Sequence, residues 1–252
     1  MFAVTILNIL GECAIRGLGA IEKYPQLFIA IPIIYFTYAC VIEDSISRYK
    51  LKDKQTYILG MSLCFLWQLC MPLAVIAPPR ILGLNIGVLI FINILMWPAV
   101  QTVLFFYIAQ RLFPRDNNQP FLGLKVRNLM IALFCGVTLV MHLGFGLIGY
   151  QNIIGVVVLI LLGVGCLRWF KNSLQKLDSQ ANKFNSRFID GIGGITIILL
   201  VYAAFFIPMK TIAYNEVHLL NQNAFGLLML MTLIVPLFML FYRMKSKNTI
   251  PV

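Results

Sequence analysis

The chain has 252 residues, of which 60% are hydrophobic and only 12% are charged, and its mean hydropathy is +0.88. A soluble domain of this length cannot cover so much apolar surface, so the composition predicts an integral membrane protein with several crossings. A formal net charge of +11 would suggest nucleic-acid binding in a soluble chain. In a membrane protein it indicates cationic loops facing the anionic cytoplasmic leaflet, so membrane lipids are expected partners and nucleic acid is not.

The six cysteines and two histidines form no recognisable metal-binding or redox motif. The sequence contains no CxxC pair and no cluster of Cys and His at metal-ligand spacing. It also contains no HExxH, P-loop or GxSxG motif. We therefore expect neither a metal site nor a cofactor, and we interpret the cysteines as small buried hydrophobic residues.

The N-terminal segment, residues 1–23, is predicted to be an amphipathic helix. Its polar residues recur at helical spacing on one face, and they are Thr5, Asn8, Glu12, Arg16 and Lys23. Glu12 and Arg16 lie one turn apart and are placed to pair. One interpretation puts this helix in the outer membrane–water interface, and a second packs its polar face into the mouth of the helix bundle. A third makes it a weak signal-anchor, although it has no basic n-region.

Seven apolar runs follow, each long enough or nearly long enough to cross a bilayer. They cover residues 24–42, 57–77, 83–110, 129–149, 153–169, 191–209 and 224–242. Sixteen of the 20 lysines and arginines fall on alternate connections, which are residues 43–56, 111–128, 168–190 and the tail 243–252. By the positive-inside rule, this alternation predicts an outside N-terminus and a cytoplasmic C-terminus.

The predicted fold class is therefore an all-α polytopic bundle of seven transmembrane helices, preceded by the amphipathic segment. One transmembrane domain covers residues 24–242, and residues 243–252 form a cytoplasmic tail. The protein is expected in the plasma membrane of a bacterium or in the endoplasmic reticulum of a eukaryote.

Acidic residues are excluded from the interiors of the seven runs, since all nine lie outside them. Ion-driven carriers usually keep a carboxylate near the membrane midplane, so the pattern argues against an ion-coupled transporter. The stretch EDSISRY, residues 43–49, stands at the cytoplasmic end of the first run. Its two acids oppose the helix dipole, and Arg48, four residues after Asp44, is the expected partner.

Neutral polar side chains are the remaining candidates for a site at membrane depth. They are Gln68 beside Trp67 in the second run, Asn93 and Gln101 flanking Trp97 in the third, and Thr138 and His142 in the fourth. The spacing of four residues places each set on one helical face. Taken singly, such residues often only join helices or pack. Their convergence from three helices predicts an aromatic cavity with few polar anchors, which suits a lipophilic small molecule better than an ion.

Five short motifs resemble the small seven-span, membrane-bound terpene cyclases of meroterpenoid and indole-diterpene pathways. They are LCFLWQ at 63–68, FIN at 91–93, VRNL at 126–129, GV ahead of His142 at 136–142, and NSRF at 185–188. The resemblance implies that the protein protonates an epoxide or alkene of a prenylated substrate and closes rings through carbocations. An aromatic, water-poor cavity would shelter these cations by cation–π attraction.

The sequence departs from this family at the acidic positions. In the family an acid follows the tryptophan and an aspartate lies in the last span, whereas this chain has Gln68 and an acid-free run at 224–242. Glutamine cannot donate a proton as a general acid. Either another group supplies the proton, and His142 is the best candidate within a span, or the cavity serves a different purpose.

Two functions follow from these observations. In the first, a terpene-cyclase-like enzyme uses His142 and Gln68 as catalytic residues, and its substrate-binding residues are Trp67, Asn93, Trp97 and Gln101. In the second, a non-catalytic facilitator or lipid-binding accessory subunit uses the same cavity without chemistry.

The charge pattern predicts the side of the membrane on which each connection lies. Reporter fusions after Lys54 and Lys183 should report the cytoplasm, because both lie on lysine-rich connections. Fusions near Gln151 and Asn221 should report the opposite side. A cytoplasmic signal at Asn221 would contradict the seven-span topology, since it adds or removes one crossing.

Overall fold

The computed structural model describes residues 1–16, 25, 27–68, 81, 83–114, 120–144, 153–174, 187–207, 211–213 and 219–221. These residues form helices α1 (Phe2–Arg16), α2 (Leu27–Tyr49), α3 (Asp53–Gln68), α4 (Ile86–Leu112), α5 (Leu124–Gly144), α6 (Ile153–Leu174) and α7 (Arg187–Phe205). Two short strands, β1 (Thr211–Ala213) and β2 (Leu219–Asn221), pair antiparallel. The predominantly helical fold predicted from the sequence is confirmed. The antiparallel pair of β1 and β2 was not predicted.

Three of the described helices are long enough and apolar enough to cross a membrane, namely α2, α4 and α6. Two shorter apolar helices, Phe2–Ile15 and Ile189–Phe205, lie within α1 and α7. These helices agree with an integral membrane protein, although only three of the seven predicted crossings are shown. The predicted runs 57–77, 129–149 and 191–209 continue beyond the described residues, and the run 224–242 lies wholly outside them.

The helices pack in a bundle whose outer surface is apolar. Helix α3 lies between α4 and α6, α2 packs against α5, and α1 contacts α2, α4 and α7. Large exposed apolar side chains project from α5, α6 and α7, and examples are Leu129, Leu139, Ile154, Leu161 and Ile198. Lipid tails cannot hydrogen-bond, so an apolar outer face and an inward-turned polar face are what a bilayer requires.

The α3–α6 interface depends on small residues. A Cβ atom on Gly155 would lie 2.6 Å from the carbonyl oxygen of Gly83, so the start of α6 tolerates no side chain there. About two turns further along α6, a Cβ atom on Gly163 would lie 3.5 Å from the nearest atoms of Phe65 and Leu66 on α3. Gly155 therefore lets α6 approach the backbone just before α4, and Gly163 packs against α3 at van der Waals distance.

Helix α4 is widened over Leu89–Leu104, where the backbone follows an i→i+5 hydrogen-bonding pattern. This pattern usually occupies single turns, often at functional sites. Pro98 lies inside this stretch and has no N–H to donate. The hydroxyl of Tyr57 on α3 donates to the carbonyl of Ile94, four residues before the proline, at 2.7 Å. This hydrogen bond joins α3 to α4 within the widened stretch, one turn before Pro98.

Helix α1 lies against the inside of the bundle. Its polar face is buried at Thr5 and Asn8, and the Tyr35 hydroxyl of α2 donates to the Glu12 carboxylate. The Met1 sulfur lies 3.1 Å from the Cys40 sulfur. Because the later residue Glu12 contacts the earlier residue Tyr35, α1 runs antiparallel to α2. This packing agrees with the interpretation in which the polar face enters the bundle, and not with an interfacial helix. The side chain of Arg16, the expected partner of Glu12, lies outside the described part.

The predicted pairing of Asp44 with Arg48 is confirmed. Asp44 is completely buried and accepts two hydrogen bonds from Arg48, at 2.9 and 3.0 Å. It also accepts one from the backbone N–H of Leu122 at 2.9 Å, while Arg48 donates to the Leu122 carbonyl at 2.7 Å. The pair therefore fastens the loop before α5 to the end of α2.

Replacing Asp44 by alanine should reduce the free energy of unfolding by about 3 kcal/mol, because Arg48 loses its anion in a largely buried setting. The matched control is Asp190→Ala, which breaks the more exposed Arg111–Asp190 pair at 2.7 Å. That change should cost less than the loss of Asp44, because the Arg111–Asp190 pair is partly exposed to water, although it also removes the bond from the Tyr107 hydroxyl to Asp190 at 2.8 Å. Unfolding monitored by tryptophan fluorescence in a denaturing-detergent titration measures both, and equal losses would contradict the structural role of Asp44.

Candidate functional site

An aromatic cluster joins four helices at the centre of the described bundle. It consists of Tyr35 and Tyr38 from α2, Trp67 from α3, Trp97 from α4 and Phe134 from α5. The two indoles are stacked, with ring centroids 5.7 Å apart and an interplanar angle of 28°. The predicted proximity of Trp67 and Trp97 is thus present in the structure as a direct ring contact.

The rings around Trp97 enclose it almost completely. Tyr38 and Tyr35 lie 5.2 and 6.2 Å from it between centroids, and its exposed fraction is 3%. Trp67 is only half-buried, and its other ring neighbour is Phe134 at 6.0 Å. Each such contact adds about 0.5–1.5 kcal/mol beyond area burial. Trp97 is therefore enclosed by the packing, and Trp67 is the more exposed of the two indoles.

The tyrosine hydroxyls of the cluster are tied to polar groups on other helices. Tyr38 hydrogen-bonds the hydroxyl of Thr102 on α4, and that hydroxyl donates to the Trp97 carbonyl at 2.8 Å. Tyr35 donates to Glu12 of α1. These bonds fix the ring orientations, because turning either ring away would leave its buried hydroxyl without a hydrogen-bond partner, which costs free energy.

Helices α3 and α4 meet closely beside this cluster. A Cβ atom on Gly60 would lie 2.5 Å from the hydroxyl oxygen of Thr102, so no larger residue fits without moving that side chain. Displacing Thr102 would break its bonds to Tyr38 and to the Trp97 carbonyl. Gly60 is therefore a structural requirement of the cluster, and the sequence pattern alone did not indicate it.

The three predicted amide residues are all buried, but they differ in their surroundings. Gln68 is 2% exposed and directly follows Trp67 at the end of α3. Asn93 and Gln101 are 0% and 1% exposed, and neither side-chain amide atom of either residue has a hydrogen-bond partner within the described part of the chain. Buried amides without partners are rare, so each calls for a ligand, a water or another part of the protein.

Gln101 faces α1 and not the stacked indoles. Its Nε2 lies 3.4 Å from the position of a Cβ atom on Gly11, which places this amide in van der Waals contact with α1. One turn earlier on α1, the amide nitrogen of Asn8 lies 3.4 Å from the Gln101 carbonyl oxygen and 2.9 Å from that of Val4. The Oδ1 atom of Asn8 is also without a partner among the described residues.

The polar residues of the fourth predicted run, Thr138 and His142, are not seen to join the aromatic cluster within the described part of the chain. Thr138 is buried and donates to the carbonyls of Phe134 and Cys135 in its own helix, so it is engaged locally. His142 belongs to the last turn of α5, but its side chain lies outside the described residues. Its role as a proton carrier therefore stays a prediction.

The structure brings together part of the predicted site and adds residues to it. Trp67 and Trp97 meet, and Gln101 belongs to a separate polar pair with Asn8. Sequence reasoning missed the tyrosines of α2, although their spacing of three residues in YFTY puts them on one helical face. It also missed that α1 contributes Glu12, since an amphipathic pattern does not say which neighbour its polar face contacts.

Comparison with protein-family models, with curated proteins and with solved structures finds no match to this chain. The function is therefore inferred from the chemistry of its own residues.

Proposed function

We propose that this integral membrane protein binds a lipophilic prenylated substrate and cyclises it by protonation. The observation that carries the proposal is the stacked pair of Trp67 and Trp97 inside an aromatic cluster drawn from four helices. An isoprenoid chain is apolar and partitions into the bilayer, from which it can reach such a cluster without crossing water. The motif resemblance to membrane-bound terpene cyclases supports the same substrate class.

Aromatic rings suit the intermediates of this reaction. A cation within about 6 Å of an indole centroid gains roughly 0.5–2 kcal/mol, and the gain is larger where water is excluded. Trp67 would contact the substrate, while Trp97 and Phe134 pack against that indole and the two tyrosines pack against Trp97. In this proposal, Trp67 contacts the cation and the other rings hold that indole in position.

Proton transfer requires a group other than glutamine. An acidic donor gives its proton to the epoxide oxygen, the C–O bond breaks, and the oxygen remains as a hydroxyl group. An alkene of the same chain attacks the cation, and a neighbouring C–H bond returns a proton to the donor's conjugate base. The reaction is an isomerisation that consumes no co-reactant. His142 is the predicted carrier within a span, and Glu12 is a carboxyl group that the packing adds through Tyr35.

The proposal also includes the number of membrane crossings and the orientation of the chain. Seven crossings between residues 24 and 242, with an outside N-terminus and a cytoplasmic C-terminus, would place Gln68 and Asn93 near mid-depth. Arginine and lysine on the cytoplasmic connections would then contact anionic lipids.

A second candidate is a non-catalytic facilitator or lipid-binding accessory subunit. It is supported by the absence of an acid at Gln68, where the resembled family carries one. Both candidates use the same aromatic cluster, so they differ only in whether the bound molecule changes covalently.

Membranes containing the protein should convert an epoxide-bearing prenylated substrate into a cyclised isomer of unchanged mass, detected by liquid chromatography and mass spectrometry. Trp67→Leu should reduce the yield at least about tenfold, because the cation loses the indole that it can reach. The matched control Trp169→Leu, at an exposed tryptophan of α6, should leave the yield unchanged.

Gln68→Glu sharpens the same experiment. A carboxyl at this buried position is disfavoured in its charged form, so it keeps a proton to donate. The variant should retain or increase cyclisation, whereas Gln68→Leu at normal abundance should reduce it. Absence of any product from the wild type and from Gln68→Glu, together with substrate that remains bound, would favour the non-catalytic candidate.

A further inference from the structure

The buried amides at the α1–α4 contact have hydrogen-bonding capacity that the proposed reaction does not use. Asn8 and Gln101 are 0% and 1% exposed, and three of their four side-chain amide atoms have no partner within the described residues. The unpartnered atoms are one nitrogen, Nε2 of Gln101, and two oxygens, Oε1 of Gln101 and Oδ1 of Asn8. Together they offer one NH2 group with two N–H donors, and two acceptor oxygens.

This amide pair is linked to the aromatic cluster by two contacts, Glu12 with Tyr35 and Tyr35 with Trp97, and by two spacings of one helical turn. Glu12 follows Asn8 by one turn of α1 and accepts the hydroxyl of Tyr35. Tyr35 packs on Trp97, with ring centroids 6.2 Å apart. Trp97 precedes Gln101 by four residues on α4. The amides and the aromatic rings therefore surround one junction of α1, α2 and α4.

We propose that Asn8 and Gln101 form a subsite for an uncharged hydroxyl group at the end of a lipid-soluble chain, whose apolar part lies toward the aromatic cluster. This subsite rests on the proposed function, because it assumes a prenyl-like ligand in the same bundle. A hydroxyl both donates and accepts, so it matches an amide oxygen and an amide nitrogen at once. An ether only accepts and would leave the amide oxygens unpartnered.

Charge also selects the ligand. Asn8 and Gln101 are 0% and 1% exposed, so an anionic headgroup bound between them would lose its hydration, and two neutral amides would compensate little of that cost. The subsite therefore favours a prenyl alcohol over the corresponding phosphate ester.

The test uses a diazirine analogue of farnesol and the full-length protein reconstituted in phosphatidylcholine vesicles. Photolabelling is measured by mass spectrometry, with unlabelled farnesol, farnesyl methyl ether and farnesyl diphosphate as competitors. In the wild type, farnesol should compete roughly tenfold better than the ether and the diphosphate, because only the alcohol satisfies both types of amide atom.

The variants Gln101→Met and Asn8→Leu keep side-chain volume and remove the amide, and both should lose the preference for the alcohol. The control Asn128→Leu, at an exposed amide of α5, should keep it. Equal competition by alcohol and ether in the wild type, or a preference that survives in both variants, would overturn the subsite while the proposed function stands. If a variant fails to fold, the comparison of alcohol, ether and diphosphate in the wild type still tests the subsite. No labelling of the wild type by the probe would overturn the proposed function, and the subsite with it.

Discussion

The structure depends on one constraint, which is that the bilayer core contains no water to satisfy polar groups. Each polar side chain at depth must therefore find its partner inside the protein. The constraint explains why α5, α6 and α7 present leucine, isoleucine and valine outward, while the polar face of α1 turns inward. It also explains the bonds from Tyr57 to the Ile94 carbonyl and from Tyr38 to Thr102. Each bond pairs two polar groups whose burial without a partner would cost free energy.

The same constraint links the fold to the candidate site. Because α1 enters the bundle, its Glu12 reaches Tyr35, and its Asn8 reaches the backbone of Gln101. Tyr35 in turn helps to enclose Trp97, which stacks on Trp67. The buried amide atoms that still lack partners in the described residues lie where a ligand could supply them. Packing that stabilises the bundle and groups that could bind a substrate thus occupy the same junction.

Sequence reasoning predicted the features that depend on local pattern. The helical runs, the Asp44–Arg48 pair at spacing i, i+4 and the adjacency of two tryptophans follow from periodicity and from neighbouring spans. It placed Asn93, Trp97 and Gln101 on one face, as in an ideal helix. In the structure Trp97 faces the aromatic cluster while Gln101 faces Gly11 of α1, and α4 is widened over Leu89–Leu104, which changes the angle between successive side chains. The direction of the polar face of α1 could not be predicted, because an interfacial helix and an inserted one have the same amphipathic pattern.

The position of α1 against α4 is the central claim, and cross-linking measures it most directly. In a background without native cysteines, Asn8→Cys paired with Gln101→Cys should be joined rapidly by a short bis-methanethiosulfonate reagent, since the Asn8 amide lies 3.4 Å from the Gln101 carbonyl. The pair Ile6→Cys with Gln101→Cys should not be joined, because Ile6 is 64% exposed on the other side of α1. Equal cross-linking of the two pairs, or reaction of Asn8→Cys with a membrane-impermeant thiol reagent, would contradict the account.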